Sequence, residues 1–109
     1  MKDDRTYLLH IRDAIAQIQD YSKDGRNVFF ADPKTQDAVL RKLEVIGEAV
    51  KHLSTSAKDR APETPWRAIS GLRDKLIHEY FGVNLNLVWE VVEQDFPALR
   101  SAVESLLKT

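Results

Sequence analysis

The chain contains no cysteine. Disulfides, thiol nucleophiles and cysteine-based zinc sites are therefore excluded. Glycine and proline are sparse, four of each in 109 residues. They fall mostly between periodic stretches, as the punctuation of a helical bundle does. Neither sign of charge dominates: 16 Lys+Arg against 17 Asp+Glu leave a formal net charge of -1. Such a balance gives no general attraction to nucleic acid or membrane, so a nucleic-acid site must be a local patch. No apolar run approaches the length of a membrane span, and the opening MKDDRTYLL has no signal-peptide core. The expected address is the cytoplasm. There is no internal repeat, no low-complexity segment and no run of alternating apolar and polar residues; Val28-Phe29-Phe30 is too short and isolated for a strand.

What is present is helical periodicity. Apolar residues make up 43% of the chain, enough for a core. The length suits one domain spanning residues 1–109. Leu8, Ile11, Ile15 and Ile18 mark one face of a first helix from about Asp3 to Lys23, with Gly25 suited to a left-handed C-terminal cap. Asp32-Pro33 opens a second helix, a side-chain cap followed by proline in the first turn. Val39, Leu43, Ile46, Val50 and Leu53 are its buried stripe. Gly47 inside that helix costs up to roughly 1 kcal/mol against alanine, which close approach of another helix would offset. Residues 54–64 form a polar loop with room for a short helical turn. Thr64-Pro65 restarts a helix by the same logic as Asp32-Pro33, and this third helix runs to about Tyr80-Phe81-Gly82. Asn84 or Asn86 caps a fourth, and Pro97 starts or kinks a fifth in which Leu99, Val103 and Leu106 align. The expected fold is all-α, an antiparallel up-and-down bundle of about five helices with short connections.

Chemistry concentrates in residues 71–82, GLRDKLIHEYFG. Trp66, Ile69, Arg73, Leu76 and Tyr80 step by three, four, three and four, so an arginine occupies a core-facing stripe. A buried unpaired guanidinium costs several kcal/mol. Arg73 must therefore snorkel to solvent, pair with a carboxylate, or face a cleft that binds an anion. His78 lies about 140° away from Arg73 on a straight helix. Either the helix loosens before His78, or a cleft is shared with a second subunit carrying the same motif. Asp74 stands at i,i+4 to His78, where a carboxylate can fix the imidazole tautomer and raise its pKa; an ordinary surface ion pair has the same spacing. Glu44, Glu48 and His52 also repeat at four-residue steps, but no Glu-x-x-His motif occurs, so no metal site is expected. The glycines form no phosphate loop and the serines no nucleophile elbow.

Arg73-Asp-Lys-Leu-Ile-His78-Glu-Tyr80 reads R-x4-H-x-Y. This resembles the signature of the HEPN superfamily, and specifically of HepT-like toxins of MntA/HepT toxin–antitoxin systems. Glu44-Val-Ile-Gly47-Glu48-Ala49 resembles that family's IGEA helix. Pro65-Trp66-Arg67-Ala-Ile69-Ser-Gly71-Leu-Arg73 resembles its lead-in to the motif, and Val88-Trp89 with Asp95-Phe96-Pro97-Ala-Leu99 its C-terminal segment. The likeness spans roughly Asp4 to Leu107. The family often carries asparagine after the arginine; the charge on Asp74 bears on His78 basicity. The resemblance implies a HEPN-like bundle that forms a homodimer with a composite cleft, and metal-independent cleavage of RNA without a cofactor. It implies Arg73 and His78 as catalytic residues, Asp74 as the orienter of His78, and Tyr80 as the residue to which a cognate MntA-like nucleotidyltransferase antitoxin attaches AMP. HEPN bundles that bind a nucleotide or protein without turnover are the alternative within the same resemblance. A bundle with a purely structural role, Arg73 snorkelling and Asp74–His78 a surface pair, is the third reading.

Overall fold

The computed structural model describes residues 3–72, 74 and 84–108. Seven α-helices account for most of them. α1 is Asp4–Tyr21, α2 Arg26–Ala31, α3 Pro33–His52, α4 Thr55–Asp59, α5 Trp66–Ser70, α6 Leu85–Glu90 and α7 Phe96–Leu107. A π-helical turn, Val91–Asp95, joins α6 to α7 without a break. The described residues contain no strand, and the fold is an all-α bundle.

The direction of packing follows from specific contacts. Asp4, in the first turn of α1, accepts from the Ser54 backbone N–H at 2.9 Å and from its hydroxyl at 2.6 Å. Ser54 lies just past the end of α3, so α1 and α3 run antiparallel. Arg5 Nη1 donates to the Leu107 carbonyl at 3.3 Å, while Arg100 nearer the start of α7 reaches Gln19 near the end of α1. α7 is therefore antiparallel to α1 as well. α1 packs on both α3 and α7, and α3 also carries α2 and α5.

The predicted stripes face the core these helices enclose. Leu8, Ile11, Ile15 and Ile18 from α1, Val39, Leu43, Ile46 and Val50 from α3, and Leu99, Val103 and Leu106 from α7 are all buried. Each such side chain contributes about 1.5–3 kcal/mol relative to leaving it in water. Among the described residues no polar or charged residue is buried, and no buried side-chain polar atom lacks a hydrogen-bond partner.

Helix ends follow local chemistry, with three departures. Asp3 caps α1 by accepting from the Arg5 N–H, and Asp32 caps α3 by accepting from the Lys34 N–H. Both carboxyls are held below their ordinary value of 3.8, first by a threonine hydroxyl, Thr6 or Thr35, and then by these N–H groups. Asn84 caps α6 through the Leu87 N–H, whereas Asn86 accepts from Arg26. Gly25 does have a left-handed φ of 96°, but it stands before α2 and does not cap α1, which closes at Ser22 through bonds to the Ile18 carbonyl. Its φ and ψ of 96° and 178° are a conformation essentially restricted to glycine. Val28-Phe29-Phe30 is helical, in α2, because Phe29 inserts into the core beside Trp89 with ring centroids 5.2 Å apart. Pro97 does stand in the first turn of α7, but no break separates that helix from α6. The preceding turn widens, Phe96 N–H bonding Val91 five residues back, and the helix continues.

Candidate functional site

The segment expected to carry the chemistry is approached through α5. Its entry differs from that of α3. Pro65 takes the cap position, and no side chain caps the helix there. The start is held instead by Trp66, whose indole Nε1 donates to the carbonyls of Ala61 at 3.1 Å and Lys58 at 3.3 Å. The ring is buried, so this one side chain ties α5 to the end of α4 and fills the core. Ser54 prepares that anchor: its hydroxyl accepts from the Ala57 N–H at 3.0 Å and caps α4 inside the predicted loop.

The far end of α5 rests on α3 at Gly47. A Cβ built there would stand 3.4 Å from the Ser70 carbonyl oxygen and 3.6 Å from that of Ile69. The mid-helix glycine thus marks the expected close approach, with space for a methyl group and little more. α5 ends at Ser70, and Gly71 closes it with its N–H on the Arg67 carbonyl. The expected helix from Pro65 to about Gly82 is thus interrupted at Gly71.

Trp66 and Ile69, the first two members of the predicted stripe, are buried, and Leu72 beside them is buried too. Asp74 is helical and exposed. Arg73, His78 and Tyr80 lie outside the described residues. Between α5 and α7 runs a mainly apolar groove of about 520 Å³, lined among others by Pro65, Ala68, Ile69, Leu72, Phe96 and Leu99. It reaches the residue that precedes Arg73.

A second group was not legible as a unit in the sequence. Tyr7 of α1 stacks on His52 at the end of α3, centroids 5.0 Å apart and planes 15° apart. His10 meets Tyr7 edge-on at 6.3 Å. Glu48 holds His52 Nε2 at 3.2 Å, the four-residue spacing visible in the sequence. Only the antiparallel docking of α1 and α3 brings the tyrosine to that pair. Among the described residues no group of three or more His, Asp or Glu side chains can hold a metal ion, and no helix is long and apolar enough to cross a membrane.

The sequence matches the family model described as "Ribonuclease HepT-like" over residues 11–106. A Methanocaldococcus jannaschii protein named "Gamma-glutamylcyclotransferase and putative RNase" is 41% identical across 98% of this chain, which spans 49% of that longer protein. "Probable ribonuclease HepT" of Thermococcus cleftensis is 43% identical over 95% of this chain and 96% of its own length. A Caldanaerobacter subterraneus protein named "Putative RNase" is 40% identical over 99% and 97% respectively. No solved structure matches significantly. With the family model covering nearly the whole bundle, and relatives of equal length alongside it, this chain belongs to the HepT-like ribonuclease family.

Proposed function

We propose that the chain is a single HepT-like unit acting in the cytoplasm as a metal-independent endoribonuclease, the toxin of an MntA/HepT-like toxin–antitoxin pair. The observation that carries this reading is the family match over residues 11–106 together with the R-x4-H-x-Y motif inside it. The ribose 2′-oxygen attacks the neighbouring phosphorus as the bond to the 5′-oxygen breaks. His78 takes the 2′-hydroxyl proton or returns one to the leaving oxygen. Arg73 binds the phosphate and stabilises the charge that grows on it. Asp74, at i,i+4 and exposed as a surface orienter should be, fixes the imidazole. Two copies of the motif face each other across a homodimer, which brings Arg73 and His78 to one cleft despite their angular separation on a single helix. AMP attached to Tyr80 by the partner nucleotidyltransferase blocks RNA by bulk and by negative charge.

The test is cleavage of RNA by the purified protein in excess chelator, with Arg73→Ala and His78→Ala in parallel. Each variant is expected to lose about 10²-fold or more of the rate while keeping a cooperative unfolding transition. Parent-like cutting by both variants overturns the assignment. Intact mass after co-expression with the partner should rise by one or more adenylates that map to Tyr80.

A further inference from the structure

The α1–α3 face carries a second concavity, of about 520 Å³, with Tyr7, His10, Arg41, Glu44, Glu48 and His52 around it. We infer that this groove holds an unpaired base of an RNA strand, stacked on the His52 ring. The choice of RNA rests on the ribonuclease reading; the site itself rests on the geometry.

Tyr7 covers one face of the His52 imidazole, 15° from parallel. Glu48 fixes the ring in its plane from the next turn of α3. The His52 side chain is nevertheless 46% exposed. The result is a flat, oriented aromatic platform at the edge of a concavity, already stacked from below, which is the arrangement on which unpaired bases are bound. His10, edge-on to Tyr7, adds a polar wall. Charge selects the part of the strand that enters. Glu44 and Glu48, both lining the groove, disfavour a phosphate inside it, while their carboxylates are acceptors for base amino groups. Arg41, its side chain 74% exposed and its Nη1 3.8 Å from Glu44, would exchange that surface ion pair for the adjoining phosphate. The base goes in and the backbone stays outside.

The chain has three histidines, His10, His52 and His78, so imidazole NMR signals separate this groove from the motif. The probe is a short 2′-O-methyl RNA, which cannot be cleaved through its 2′-oxygen, with a matching abasic 2′-O-methyl chain as control. Saturable shifts of His10 and His52 with the RNA, absent with the abasic chain, are expected. His52→Ala, followed through His10, should weaken that binding about fivefold to 150-fold, the usual worth of one stacked base. Tyr7→Ala should act in the same direction. Silence at His10 and His52, an equal response to the abasic chain, or unchanged affinity in folded His52→Ala overturns the inference. A response at His78 alone sinks the groove and leaves the catalytic reading standing. A response at His10 and His52 with His78 silent supports the groove and counts against that reading.

Discussion

α3 and α5 both open on a polar residue followed by proline, yet they are started by different forces. At α3 the rule works locally: the Asp32 carboxylate takes the Lys34 N–H and the Thr35 hydroxyl, and Pro33 sits in the first turn. At α5 the proline moves to the cap itself, and the Trp66 indole anchors the entry to carbonyls of another segment. α3 is a long helix with its own cap and a continuous buried stripe. α5 is five residues long, too short to be stable by propensity, and exists because Trp66 and Gly47 dock it. The helix that leads to the motif is thus held by tertiary contacts, and its placement is sensitive to substitutions that leave its own sequence unchanged.

The contrast can be broken most forcefully at Trp66. Trp66→Ala removes a buried ring and both indole bonds and should cost about 3–5 kcal/mol in urea unfolding. Trp66→Phe keeps most of the apolar area but loses both indole bonds; the Lys58 and Ala61 carbonyls keep the Ala61 and Thr64 N–H groups as donors, so the loss should be about 0.5–1.5 kcal/mol. If Trp66→Phe is no worse than a surface substitution, the indole is not what starts α5. Gly47 comes next. Gly47→Leu overfills the contact with Ser70 and Ile69 and should lose about 1–3 kcal/mol. Gly47→Ala fits the space and should hold or gain up to about 1 kcal/mol in helix propensity; a marked loss would mean the helices sit closer than 3.4 Å to that position. The smallest effect belongs to Asp32. Its carboxyl is depressed below 3.8, chiefly by the Thr35 hydroxyl, so the stability it contributes is present above that pH and is lost as pH falls through the folded value. Asp32→Asn can still cap. Melting temperatures of the two proteins should therefore converge below about pH 3.8, and a gap that persists or widens in acid contradicts this account.

The same division explains what was legible in advance. Leu8 to Ile18, Val39 to Leu53 and Leu99 to Leu106 repeat often enough for periodicity to reveal the three long helices and their buried faces. α2 was not legible: six residues with no side-chain cap are set by the φ of Gly25 and by Phe29 meeting Trp89, both consequences of the whole fold. At the site, the sequence located Gly47 as a contact, and the motif identified the family. The Tyr7–His52 stack could not be read, because nothing in either local sequence announces that α1 and α3 meet there. Arg73, His78 and Tyr80 fall outside the described residues, and their roles rest on the motif and the proposed experiments.

The wide turn at Val91–Asp95 has a consequence for alignments. A π-turn accommodates one more residue than an α-turn for nearly the same rotation about the axis. Trp89 and Phe96 both reach the core across it. A relative with one residue fewer between those two aromatics can therefore keep both of them inward by running as plain α-helix there. A gap of that size marks a change in helix winding and needs no loop to explain it.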